Sequence, residues 1–314
     1  MANFSFKKNV QVKFARKSSS TSKELVKFNV QDISFSQTFT EESYRVKTLS
    51  DTNYFEGSVI NKANPANFEF SIYFSSKDIG GIEPLLVDAL NSPALGNELL
   101  IYTGEQLFRL ENCVFTNGVF VIERSQPLRM TISGEATKLS SVDVDNWTNP
   151  TSDIYSGLSL IPAPATSGNS YYEGAPRLKQ VTLGGTDISS CVTSIQLELQ
   201  NDIQWNPYTT LHGALSATNA ATSMFPSDFT IDKKIASGNI TRYIKDDNPN
   251  LLTWSTGSNL QIVVEGSSGE EVLYFNFATS SFTNRLNVGN IFTESYDFRI
   301  SDNGFTPVFV YDNL

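Results

Sequence analysis

The chain echoes itself at a long interval, which restricts its fold more than any other feature does. Ile33-Ser34-Phe35-Ser36-Gln37 shares its alternation with Ile195-Gln196-Leu197-Glu198-Leu199, 162 residues later, and the same offset carries Thr48-Leu49 onto Thr210-Leu211. Ile60-Asn61-Lys62 matches Ile231-Asp232-Lys233 at an offset of 171, and Leu128–Ser133 matches Tyr296–Ser301 at 168. The matches keep one order along the chain, and their offsets drift as insertions in surface loops require. They predict two tandem copies of one domain, residues 1–139 and 178–314, joined by a linker or arm over 140–177. A chain of 314 residues accommodates this, since each copy is long enough to bury its own core without a disulfide or metal.

Each copy reads as mainly β. In the first, residues 4–15 and 26–37 alternate, and Asn67–Phe74 places Phe68, Phe70, Ile72 and Phe74 on one face. Ile79–Leu90 changes to helical spacing and stops at Asn91-Ser92-Pro93. Strands follow at 98–103, 107–115, 120–123 and 128–134. The second copy repeats the plan at 192–199, 229–231, 238–244, 260–264, 272–277 and 295–300, with a short helical turn over Asp246–Trp254. The expected class is mainly β: two similar β-sandwich or partial-barrel domains, each with a flanking helix or helical turn, and a long linker between them. Phe (22) and Tyr (12) are abundant beside a single His, which suits pleated, half-buried surfaces.

The formal charge is −10, and no stripe of Lys or Arg is present to neutralise phosphates. Lys7, Lys8, Lys13, Arg16 and Lys17 read as a solvated strand edge. An acidic surface still suits DNA that passes by without sticking. Met1–Lys7 lacks the apolar core of a signal peptide, and no run approaches the length of a membrane-spanning helix. Cys113 and Cys191 lie far apart and read as packed side chains of a protein made in a reducing cytoplasm.

Catalytic chemistry needs convergent groups, and the sequence offers few. His212 has no partner at metal-ligand or catalytic spacing, and no nucleophile elbow or phosphate loop occurs. Gly80-Gly81 and Gly184-Gly185 read as turns, and Glu41-Glu42 as solvated loop charges. Asp143, Asp145 and Asp153 lack the Gly and terminal Glu of a calcium loop. The expectation is a protein without enzymatic activity, metal or cofactor. The aromatic residues outside regular strands are the positive signal. Tyr44, Trp147, Tyr171, Tyr172, Trp205, Tyr208, Met224 and Phe225 read either as anchors on their own domain or as contacts with a neighbouring copy.

The run Val192–Asn201, then Ile203-Gln204-Trp205-Asn206-Pro207-Tyr208-Thr209-Thr210-Leu211 and Phe229–Gly238, resembles the phage tail tube protein family. So does its echo over Phe55–Lys62 and Asn67–Phe74. The resemblance implies domains whose sheets join between neighbours around a central pore, with three two-domain chains forming a pseudo-sixfold ring. Such rings stack into a tube. It also implies a virion location after synthesis in the host cytoplasm. The implied partners are further copies of the chain, a tape measure, terminator, baseplate or sheath protein, and double-stranded DNA moving through the lumen. A baseplate hub or terminator on the same fold, and a carbohydrate-binding adhesin module using Trp205, Tyr208 and Trp254, are the competing readings. Lumen-facing residues are not assignable from alternation alone.

Overall fold

The computed structural model describes residues 10–17, 22–28, 30–42, 59–73, 82–123, 126–147, 159–162, 177–206, 224–244, 258–265, 271–289, 291–300 and 308–310. The first half supplies β1 (Gln11–Lys17), β2 (Ser22–Phe28), β3 (Asp32–Ser36), β4 (Phe39–Glu42), β5 (Val59–Ala63), β6 (Ala66–Tyr73), α1 (Ile82–Asn91) and β7 (Glu98–Tyr102). It continues with β8 (Leu107–Glu111), β9 (Val114–Glu123), β10 (Arg129–Ala136) and β11 (Lys138–Val142); β12 (Ser159–Pro162) follows. The second half supplies β13 (Arg177–Leu183), β14 (Thr186–Asp187), β15 (Val192–Trp205), β16 (Phe229–Tyr243), β17 (Ser258–Glu265), β18 (Glu271–Val288), β19 (Phe292–Ile300) and β20 (Val308–Val310).

The fold is mainly β and sandwich-like, with two large open sheets. One has the order β11-β8-β7-β1-β2-β12, antiparallel except where β12 runs parallel to β2. The other runs β14-β13-β17-β18-β19-β16-β15-β9-β10-β6-β3, with β20 beside β18, and so passes through both halves. Phe14 against Phe115, Phe28 against Phe70 and Phe35 against Phe108, all with centroids about 5.5 Å apart, seal the first sheet onto the second. Most buried apolar side chains of both halves form one continuous core, with a separate small cluster of Ala15, Leu100, Leu107 and Trp147 on the first sheet.

Strand order shows the repeat directly. The first half contains β9-β10-β6-β3, and the second contains β18-β19-β16-β15 in the same sequence of neighbours. β18 does two jobs: Glu271–Thr279 pairs with β17, and Thr279–Val288 pairs with β19. Its two parts therefore match β8 and β9, and β20 stands beside β18 as β11 stands beside β8. Irregularities coincide as well. The register shift between Thr40 and Glu41 in the β4–β5 pair recurs between Asp202 and Ile203 on β15. The shift between Ser133 and Gly134 recurs in the β18–β19 pair, between Ser281 and Thr283. Bulges fix register locally, so their recurrence aligns the halves residue by residue.

That alignment corrects one sequence match. Ile72 faces Met130, and its counterpart Arg242 faces Glu294, so Met130 is level with Glu294 and not with Phe298. A slip of four residues preserves a period of two, which is why the alternation allowed it. Other differences have local causes. The 26–37 stretch divides between β2 and β3, in different sheets. The 107–115 stretch breaks at Asn112, which has φ 53, a left-handed conformation that Asn tolerates. The expected boundary at 139 falls inside β11, and part of the 140–177 linker, β12, lies along β2. The 246–254 helical turn and Phe74 lie outside the described residues.

The helix forms where expected. Leu86, Val87, Ala89 and Leu90 of α1 are buried, and Leu90 occupies the space beside Gly118, where a Cβ would stand 2.2 Å from its Cδ2. A second glycine device is shared with a twist. Gly134 on β10 faces Phe68 on β6, whereas Gly238 on β16 faces Phe298 on β19. Phe68 matches Gly238 and Gly134 matches Phe298, so the halves place the same ring–glycine pair on opposite strands.

Candidate assembly interface

The seam between the halves is a strand pair. β15 and β9 are antiparallel over Ser194–Gln200 and Asn117–Glu123, with Leu197 opposite Phe120 and Ile195 opposite Ile122. Phe120 is fully buried, and Ile195 and Leu197 are each 1% exposed. Burial of each such side chain contributes about 1.5–3 kcal/mol. Phe120 also meets Phe275 edge-on, with ring centroids 5.4 Å apart, which ties the seam to the overlying part of β18.

Polar locks flank this apolar line. On the core side, the buried Asn201 amide donates to Leu90 O at 2.9 Å and Phe115 O at 3.0 Å. It thereby supplies a donor to one of the carbonyls that the helix end leaves unmatched. Lys234 Nζ donates to Asn91 O at 2.6 Å, so two second-half side chains hold the end of α1. On the opposite face, Asn117 Nδ2 donates to Glu198 Oε1 at 3.1 Å.

Three of the aromatic and Met candidates from the sequence lie between the halves. Trp205 Nε1 donates to Glu135. Phe225 stands edge-on to Phe39, with Lys138 Nζ 5.3 Å from its ring centroid. Met224 O accepts from Ala63 N at 2.9 Å. Trp147 is placed differently: it stacks on Tyr102 within its own half, under Lys13 Nζ at 4.1 Å. Burial and the neighbouring Lys27 lower the Lys13 pKa. Tyr44, Tyr171, Tyr172, Tyr208 and His212 lie outside the described residues. What the sequence reading missed is Asn201, hidden in an alternating strand as one more polar residue.

Among the described residues, no strand or helix packs over the sheet face turned away from the core, and that face is mostly polar across both halves. Its side chains bond sideways to one another. Ser71 pairs with Thr131 at 2.9 Å, Thr241 with Ser295 at 2.8 Å, and Asn239 donates to Asp297 at 2.7 Å. Elsewhere, Cys113 and Cys191 are buried and not joined in a disulfide, with Cys113 Sγ donating to Leu110 O at 3.4 Å, and no group of three His, Cys, Asp or Glu side chains converges among the described residues. The most buried charges, Arg242 and Glu294, pair at 2.8 Å, and Glu294 also accepts from Asn284 and Tyr296. Both oxygens of that carboxylate are thus engaged within the fold. No protein-family model matches the chain, and no curated protein matches it in sequence.

Proposed function

We propose that this chain is a structural, self-assembling protein of a bacteriophage tail tube, with no catalytic role. The observation that supports the reading most is the seam: two repeated halves already join edge to edge into one sheet. Repetition of such a joint between chains builds rings, and head-to-tail contacts close into rings or extend into filaments according to their rotation. Edges otherwise hazardous to a soluble β protein are removed by that assembly. The bare face suits a conduit. Several of its hydroxyls and amides bond to one another, and the carboxylates of Asp32, Glu69, Glu123, Glu135, Glu198 and Asp297 outnumber Arg129, Arg285 and Arg299 on it, with Arg285 paired to Asp297 at 3.1 Å. Like charge disfavours adhesion of passing DNA.

Three chains would supply six halves per pseudo-sixfold ring, as the family resemblance implies. Negative-stain electron microscopy of the purified protein at rising concentration tests the proposal. Hollow rings or tubes with threefold or pseudo-sixfold end views are expected. A chain that stays monomeric throughout and binds glycans in a screen would replace the tube reading with an adhesin module.

A further inference from the structure

Both ends of the repeated sheet carry a strand whose counterpart is paired inside the chain. β3 matches β15, but its outer edge has no partner strand among the described residues. The Thr279–Val288 part of β18 matches β9, and its outer edge is likewise open. The alignment fixed by the two bulges places Leu286 level with Phe120 and Val288 level with Ile122. Ile33 and Phe35 are level with Ile195 and Leu197. Exposure follows the missing neighbour. Phe120 is fully buried while Leu286 is 52% exposed, and Val288 is 65% exposed. Ile33 and Phe35 are only half-buried, whereas Ile195 and Leu197 are each 1% exposed. Over Thr279–Val288, β18 carries no Pro or Lys to blunt that edge, and its one charge, Arg285, pairs with Asp297 of the same sheet, while the edge of β2 is covered by β12.

We propose that chains associate head to tail through these two edges, in the register of the β9–β15 seam, with Leu286 of one copy opposite Phe35 of the next and Val288 opposite Ile33. The partner is a second copy of this chain. This inference rests on the self-assembly reading and specifies its joint. Pairing buries four apolar side chains that the single chain leaves partly wet, and it extends the bare polar face without a break.

Disulfide trapping in the full-length chain tests the register. Directly opposite residues of an antiparallel pair lie within disulfide reach, whereas residues two positions out of register do not. The native thiols are buried and do not compete. A chain carrying Ile33→Cys and Val288→Cys, assembled and then oxidised, is expected to give a ladder of covalent multimers. The offset pair Ile33→Cys and Leu286→Cys should give none. Independently, Leu286→Arg should raise the concentration needed for assembly by roughly tenfold or more, with circular dichroism unchanged, since the position is exposed in the single chain. Rings or tubes that form without the Ile33–Val288 bond, and that tolerate Leu286→Arg, would overturn this joint and leave the tube reading standing. A wild-type chain that neither assembles nor cross-links would overturn both.

Discussion

The reciprocal placement of Phe68:Gly134 and Gly238:Phe298 offers a quantitative test of whether the halves share one packing plan. Phe298→Gly deletes a fully buried ring. Ring loss costs about 3–5 kcal/mol, and glycine in a strand adds about 0.5–1 kcal/mol. Gly238→Phe alone fails differently. Its Cβ would stand 2.4 Å from Gln196 O and 2.6 Å from Phe298 Cζ, so overpacking costs about 1–3 kcal/mol. The double variant Gly238→Phe/Phe298→Gly gives the second half the arrangement of the first, where Phe68 leans over Gly134. One ring then fills one space, and the double variant should cost at least about 2 kcal/mol less than the two singles together. Urea unfolding followed by circular dichroism, at low protein concentration, measures the cycle. A coupling energy within about 0.5 kcal/mol of zero would refute the shared plan.

Three further outcomes follow from the same geometry. Asn201→Ala strips a donor from two buried carbonyls and should lower stability by about 1–3 kcal/mol, seen as a shifted urea midpoint with an unchanged slope. Glu294→Leu alone should cost about 3–5 kcal/mol by stranding the Arg242 charge, whereas Arg242→Ile/Glu294→Met, which imports the first-half pair Ile72–Met130, should cost far less in thermal unfolding. Folding lowers the Lys13 pKa from 10.5 through burial and Lys27, so the native state holds that proton more weakly than the unfolded chain. This handicap is present at neutral pH and fades as pH rises through the lowered value towards 10.5. Lys27→Gln should therefore stabilise more at pH 7 than at pH 10, by denaturant unfolding at each.

The sequence reading captured what periodicity can carry. Phe68, Phe70 and Ile72 alternate because β6 buries one face, and Ile82–Asn91 turns helical because Leu86, Ala89 and Leu90 share a side. The Ile33 and Ile60 echoes fell on strands that occupy matching places. The Leu128 echo slipped by four because a two-residue period cannot distinguish even shifts, and only the bulge beside Ser133 fixes the true register. Pairings between distant strands leave no local mark, so neither β9 beside β15 nor the division of 26–37 between two sheets was visible. Trp205 and Phe225 stood out by their size. Asn201 did not, because its importance lies in two carbonyls that the sequence does not place near it.

The seam between β9 and β15 has a kinetic consequence. A joint made within one chain forms during folding, at the effective concentration that the covalent connection supplies, and it needs no collision between molecules. On the proposed assembly, only the joints between chains depend on protein concentration. A fused pair also carries a fixed polarity, so on the proposed assembly growth begins with half of its connections already in place and none of them able to form backwards.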